Sequence, residues 1–377
     1  MAAGDNGLLV IESIDARPLS VSLRQPFVIA SGRLDRTRSV EVEASIRWNS
    51  TRASGWGEAA CLPPVTREDQ EDVLAAVGLA RTSLVGQTLT AGTSGLNDAL
   101  RGLLSHLPVA RAGIESAVLD AMARVAGCPL RVFLGGSRGA ATTSLETDIT
   151  IPIADIKTMV ASARAWVSQG FRFLKVKVGK DVDTDARVLE AIALATPGAR
   201  LRVDANAGYT ADEAIALARS CERKGIPVEC WEQPCPPDDW DALAKVSAEV
   251  RATVVADESA RSIKAVEDLI ARGVVGGINL KLAKLGGLLT AYESGRLVRA
   301  AGLALMVGGM VETRLGMSAG AHLACALGGV EFVDLDTAWL LVEDLFEGGY
   351  EADGPRYTMP EALGLGVRPR TTRPTAA

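Results

Sequence analysis

The sequence predicts an α/β protein: a modified (β/α)8-type barrel preceded by an α+β capping domain. Three observations predict it. From about residue 146 onward, eight short β-rich runs alternate with amphipathic helical stretches, the pattern of a parallel barrel. No Gly-rich dinucleotide fingerprint follows any run, which argues against a doubly wound open sheet. The chain has 377 residues, enough for a barrel and a smaller companion.

The first part of the chain reads differently from the rest. It has β-rich "LLVIESIDARPLSVSL" and "RSVEVEASIRW", a Gly-punctuated "ASGWGEAAC", then helices from "REDQEDVLAAVGLARTSLVG" to "ARAGIESAVLDAMARVAG". We expect a capping domain over 1–145, a barrel over 146–345, and a tail, 346–377, that packs back on the cap. The barrel runs are "ETDITI", "FRFLKVKV", "ARLRVDANA", "VECWEQP", "ATVVADES", "GGINLKLAK", "LALMVGGM" and "VEFVDLDTA". Between them lie stretches such as "ADIKTMVASARAWVSQG", "TADEAIALARSCERKG" and "SIKAVEDLIARG", apolar at helical spacing with Gly at or near the end.

Composition narrows the chemistry. A net charge of −6 without blocks of like charge excludes an electrostatic footprint for nucleic acid or an anionic membrane. The start "MAAGDNGLLVIESID" lacks a basic and apolar leader, and no apolar run is long enough for a bilayer, so the chain reads as soluble and cytoplasmic. Six cysteines without CxxC spacing read as reduced core thiols. Only two histidines are present, His106 and His322, both expected as satisfied helix residues. Acid–base work therefore falls to Lys, Asp, Glu or Tyr, and any metal to oxygen ligands, which favours a hard cation such as Mg²⁺.

Barrel active sites lie at the C-terminal strand ends, and here those ends carry charge. Lys175 and Lys177 end the second run, Asp204 and Asn206 the third, Glu232 the fourth, Asp257 the fifth, Lys281 the sixth, Asp334 and Asp336 the eighth. Strand alternation puts Lys175 and Lys177 on one face, where two like charges repel unless something nearby favours them. Three carboxylates on successive strands repel likewise, and a hard divalent ion resolves that conflict. A lone Asp at a strand end is more often the cap of the next helix, and a lone lysine a solvated edge; the conjunction is what points to function. Asp257 and the adjacent Glu258 are equivalent on spacing. Lys284 lies beyond its strand, near the turn "LGG", and suits a base less well than Lys281.

Lys175-Val-Lys177, "DAN" at 204–206, "EQP" at 232–234, "DES" at 257–259 and Lys281 followed by "LAKLGG" resemble the muconate-lactonizing subgroup of the enolase superfamily. The resemblance runs over nearly the full chain. It implies one Mg²⁺ per subunit held by Asp204, Glu232 and Asp257, with Lys177 and Lys281 as bases on opposite faces of the substrate. Lys175 would neutralise the substrate carboxylate. The "DLDT" of the eighth run resembles the Asp-x-Asp signature of dipeptide epimerases, which implies that Asp334 and Asp336 hold the α-ammonium of a dipeptide. Thr150, Gly309 and Val311 match other substrate-contact positions of that family. An ungapped match from "QPF" puts Gly32, with Arg33 beside it, where members acting on Ala-Glu carry an arginine, which leaves the preferred second residue open. The function implied is Mg²⁺-dependent epimerisation of dipeptides at the C-terminal α-carbon, in a homo-oligomer without nucleic-acid or membrane partners. N-acylamino-acid racemase, succinylbenzoate synthase and muconate-type cycloisomerase are the alternatives within the subgroup. A non-catalytic barrel would lack a ligand or base, and none is missing.

Overall fold

The computed structural model describes residues 7–30, 32–90, 92–135 and 143–370. Both ends of the expected domain division, residues 1–6 and 371–377, lie outside them. The N-terminal part begins with β1 (Leu9–Leu19), followed by β2 (Ser22–Ile29), β3 (Gly32–Arg36), β4 (Ser39–Trp48) and β5 (Thr51–Ala59). The β-rich stretch "LLVIESIDARPLSVSL" therefore spans β1 and the start of β2. At Val21 the backbone turns away from the sheet, held by Thr37, whose hydroxyl accepts the Val21 N–H at 2.9 Å and whose N–H bonds the Val21 carbonyl at 2.8 Å. β2 and β3 then form a separate hairpin.

Helices α1 (Gln70–Leu84), α2 (Gly92–Leu103), α3 (Pro108–Val125) and α4 (Leu130–Phe133) follow, with the short strand β6 (Thr88–Leu89) after α1. The antiparallel order is β5-β4-β1-β6. In β4 the alternation of Val40, Val42, Ala44, Ile46 and Trp48 buries one face. Gly55 and Gly57 in β5 are needed because α3 crosses at backbone contact: a Cβ on either would run into the main chain of α3 around Gly113, Ala117 and Ala121. His106 lies in the turn between α2 and α3 rather than in a helix, since Pro108 starts a new helix two residues on.

The second part supplies β7 (Ser144–Glu146), β8 (Ile149–Ile151), β9 (Phe173–Lys177), β10 (Arg200–Asp204), β11 (Val228–Glu232), β12 (Thr253–Ala256), β13 (Gly277–Leu280), β14 (Ala304–Gly308) and β15 (Phe332–Asp334). The helices are α5 (Ile156–Ser168), α6 (Val182–Ala195), α7 (Ala211–Arg223), α8 (Trp240–Glu249), α9 (Ile263–Arg272), α10 (Leu282–Leu285), α11 (Leu288–Ala300), α12 (Arg314–Leu327) and α13 (Thr337–Leu340). Strands β8 to β15 form one eight-stranded parallel sheet in chain order, a nearly closed barrel. The run "ETDITI" is divided: β8 joins the barrel, while β7 pairs with β18 (Arg356–Thr358) of a hairpin begun by β17 (Glu351–Asp353). Between β15 and β8 the seam is closed by single bonds. Asp148 N–H reaches the Val333 carbonyl at 3.0 Å, Leu335 N–H the Thr147 hydroxyl at 2.8 Å, and Thr150 N–H an Asp336 carboxylate oxygen at 2.5 Å.

Strands β16 (Phe346–Gly348) and β19 (Val367–Pro369) pair near the end. From this segment Leu365 N–H donates to the Asp120 carboxylate at 2.6 Å, and the Gly364 carbonyl accepts from Leu130 N–H at 2.7 Å, ties to α3 and the start of α4. All six cysteines are buried, and none is in a disulfide. No helix among the described residues is long and apolar enough to cross a membrane.

Candidate active site

Strand register sets the level of the rim. Lys177 stands opposite Asp204, which stands opposite Glu232 across the next pair, so three charged residues from three strands share one height. The helix-cap alternative for the acids fails, because the helices after β10, β11 and β12 are capped by Thr210, Asp239 and Ser262. Thr150, Lys175, Lys177, Asp257, Lys281, Gly309, Val311, Asp334 and Asp336 line one cavity at the C-terminal mouth. Asp204 and Glu232 sit beneath it, 0% and 1% exposed.

The charges interlock. Lys175 Nζ lies 2.7 Å from Glu232 Oε2, 2.7 Å from Asp334 Oδ2 and 3.1 Å from Asp204 Oδ2. Lys177 Nζ donates to Asp204 Oδ2 at 2.6 Å and to Asn206 Oδ1 at 3.1 Å. Lys281 Nζ is 3.0 Å from Asp257 Oδ2 and 4.0 Å from Glu232 Oε1. Burial alone would raise the Asp204 and Asp257 carboxyls, but the facing lysines overcome it and hold both below the carboxylate range. Glu232 is pushed up to about 7 by burial and by Asp204 beside it. Against the same burial, carboxylates raise Lys175 and Lys281 above the ordinary ammonium range.

Glu232 Oε2 and Asp257 Oδ2 are buried and accept no hydrogen bond; their lysine contacts are ion pairs in poor bonding geometry. Three carboxylates, two with an oxygen free of hydrogen bonds, make a hard-oxygen donor set that fits a divalent cation.

The residues around this set include Lys284 and Glu258, both weighed from the sequence, and two that sequence reasoning passed over, Gln233 and Asn279. Lys284 is buried, and its ammonium sits against the Asp257 carboxylate, where burial lowers it. Of the adjacent pair, Asp257 borders the cavity, while Glu258 Oε1 accepts from Asn206 Nδ2 at 3.1 Å. Asn279 Nδ2 holds Glu232 Oε1 at 2.8 Å, and Gln233 Oε1 collects the N–H groups of Asp257 at 2.9 Å and Ser259 at 3.0 Å. Their signal was position alone: each follows or precedes a charged strand end.

Asp334 and Asp336 meet in space, but not as neighbours on one strand. β15 ends at Asp334, and Asp336 opens the short helix α13. One oxygen each from Asp148, Asp334 and Asp336 lies within 4.8 Å of the others, all buried. Asp148 was not singled out from the sequence; it is paired with Arg202 at 2.8 Å. Burial and the charge of Asp334 push the Asp336 carboxyl up to about 6.

Opposite this charged floor the cap presents Phe27 and Ile29 from β2 with Leu62 and Val65, an apolar wall. Lys177 Nζ lies 5.8 Å from the Phe27 ring centroid. Gly32 and Arg33 line a neighbouring cleft of about 660 Å³ instead, where Arg33 pairs with Asp35 at 3.0 Å.

Residues 13–135 match the N-terminal domain of mandelate racemase / muconate lactonizing enzyme, and residues 158–373 match the enolase C-terminal domain-like family. An aromatic dipeptide epimerase of Herpetosiphon aurantiacus is 38% identical over 95% of this chain and 98% of its own. The substrate-liganded L-Ala-D/L-Glu epimerase of Bacillus subtilis superimposes with a TM-score of 0.87 at 32% identity, covering 95% of this chain and 98% of that one. The dipeptide epimerase of Enterococcus faecalis, complexed with Mg and L-Leu-L-Tyr, also gives 0.87, at 28% identity over 95% of this chain and 99% of that one. A barrel with this rim under a cap of this topology, matched along nearly its whole length, belongs to the mandelate racemase/muconate lactonizing enzyme family of the enolase superfamily.

Proposed function

We propose that this protein is a Mg²⁺-dependent dipeptide epimerase that inverts the α-carbon of the C-terminal residue by 1,1-proton transfer. One observation carries the reading. Lys177 ends the second strand of the barrel and Lys281 follows the sixth, half a turn apart in an eight-stranded ring, and both line the same cavity. Two bases facing each other across one cavity suit removal of a proton from one face and return from the other. A sequential pair on one side would not.

Asp204, Glu232 and Asp257 would hold the cation, which when bound supplies positive charge against the negative charge that develops on the substrate carboxylate. Lys175, ion-paired at the centre of the floor, adds its own fixed charge there. A base must be free of its proton, and Lys281 is held protonated by Asp257 and Glu232. Its role as a base therefore requires that those carboxylates share their charge with a cation. Asp334 and Asp336 would hold the α-ammonium of a dipeptide, a reading supported by the cost of carboxylates at a rim where negative charge develops. The cap, residues 1–145, and the barrel, residues 146–345, are read as two units that enclose the substrate between them.

The test is a dipeptide library incubated with the protein and Mg²⁺ in D₂O, with α-deuteration read by mass. Exchange and inversion of free dipeptides support the reading. If N-succinyl amino acids turn over far better than every free dipeptide, the racemase alternative replaces it.

A further inference from the structure

We propose that Glu58, a capping-domain residue that does not border the cavity, is a positioning residue. It keys the cap to the substrate-facing loop of the barrel. The inference rests on the epimerase reading for its kinetic readout, but its observations are separate.

Glu58 lies near the end of β5 and is buried at 7% exposure. Its carboxylate leaves the cap and takes the first turn of barrel helix α12. Thr313 N–H donates to both oxygens at 3.1 Å, the Thr313 hydroxyl to Oε2 at 2.6 Å, and Gly316 N–H to Oε2 at 3.0 Å. The negative charge meets the positive end of a fourteen-residue helix, which strengthens each bond.

The segment just before Thr313 is the loop that offers Gly309, Met310 and Val311 to the cavity. It has little slack. Met310 N–H bonds Glu312 Oε1 at 2.7 Å, and the Thr337 hydroxyl both accepts from Glu312 N–H at 3.0 Å and donates to the Glu312 carbonyl at 2.9 Å. A Cβ at Gly309 would strike Met317, and one at Gly316 the Glu312 carboxylate. Thr337 follows Asp336 in sequence, so the loop is tied to the anchor end of the site. On the cap side, Leu62 and Val65 of the apolar wall follow Glu58 on the same segment. One carboxylate thus sets the distance between the wall and the loop that faces it.

A helix cap borrowed from a neighbouring domain would stabilise and do no more. The two roles separate in the split between KM and kcat. In the full chain with Mg²⁺, Glu58→Ala should raise KM for L-Ala-L-Leu roughly tenfold with kcat within about threefold of wild type. The preference for L-Ala-L-Leu over L-Ala-Gly in α-proton exchange should shrink about fivefold, because the wall no longer sits in register. Glu58→Gln keeps a carbonyl acceptor for the Thr313 N–H and should recover most of both. Amide exchange in the 309–317 peptide should quicken in Glu58→Ala, with the β11 peptide unchanged. Unaltered KM and selectivity beside a lowered Tm would overturn the proposal, as would unaltered exchange in 309–317. A wild type inert to every dipeptide would overturn the epimerase reading instead, and amide exchange would then decide the clamp alone.

Discussion

The barrel rim and the cap wall enclose the same cavity and are built from opposite materials. The rim carries three lysines and four carboxylates in ion-pair contact, on strand ends whose register fixes their height. The wall is Phe27, Ile29, Leu62 and Val65, carried on a hairpin and a connecting segment. Interlocked buried charges tolerate little change, because removal of one partner strands another in a medium of low dielectric. An apolar wall tolerates substitution at about a methylene's worth of energy at a time. On the epimerase reading, the difference would give reaction chemistry to the rim and choice of substrate side chain to the wall.

The sharpest break should come at the rim. Lys177→Ala or Lys281→Ala should lower epimerisation roughly 10²–10⁴-fold, the range for a positioned general base. Each variant should retain α-proton exchange with only one epimer, read by proton NMR in D₂O; near wild-type inversion in either would remove that lysine from the role of base. One step lower stands the anchor. Asp336→Asn should reduce kcat/KM for dipeptides about tenfold to a hundredfold by loss of a charge-assisted contact. Asparagine keeps an acceptor for Thr150 N–H, so the seam and the Tm should hold. N-acylated analogues, which bring no ammonium, should be unharmed, and an equal loss on both substrates would show the effect to be structural.

The rim was legible in the sequence because a parallel barrel converts sequence order into spatial order: a charged residue at each strand end reaches the same mouth. Asp336 illustrates the limit. The end of the eighth run grouped it with Asp334, yet the chain has already turned into α13, and the grouping arises from that turn and the Thr150 bond. Asp148 escaped notice, and Lys284 was set aside as lying beyond its strand, for the same reason: nothing in "TDIT" or "LAKL" says which side chain turns inward. The split of "ETDITI" between two sheets was equally invisible, for its partner β18 lies more than two hundred residues away. The wall was illegible altogether, because apolar residues in a β-rich stretch look the same whether they face a core or a substrate.

A smaller effect is expected from the wall. Leu62→Ala should lower kcat/KM for L-Ala-L-Leu about fivefold to tenfold while L-Ala-L-Glu changes less, since a few methylenes are worth roughly 1–3 kcal/mol. Among the described residues no cationic side chain of the cap lines the cavity, so the wild type should prefer the leucine dipeptide from the start. Equal loss on both substrates would move the side-chain site elsewhere.

The smallest effect at neutral pH lies where the two regions join, and it tests the joint without touching either. His322 of α12 is buried, accepting the Arg131 N–H of α4 at Nδ1, 3.0 Å, with Nε2 3.2 Å from the Leu365 carbonyl. That pattern fits only the neutral ring protonated at Nε2, because a proton on Nδ1 would face another N–H. Burial lowers the ring to about 3, helped by the Arg131 charge and opposed by the Leu365 carbonyl, against 6.5 for a free imidazole. The unfolded chain therefore takes up a proton first. The stability that the neutral ring supports is complete above 6.5 and lost as pH falls toward 3, at a limiting slope of about 1.4 kcal/mol per unit. His322→Gln should start with a lower Tm at pH 7.5 yet lose less of it between pH 7 and 5, where buried carboxylates common to both proteins contribute alike. Parallel Tm–pH curves for the two would mean that His322 does not supply the acid sensitivity of the joint.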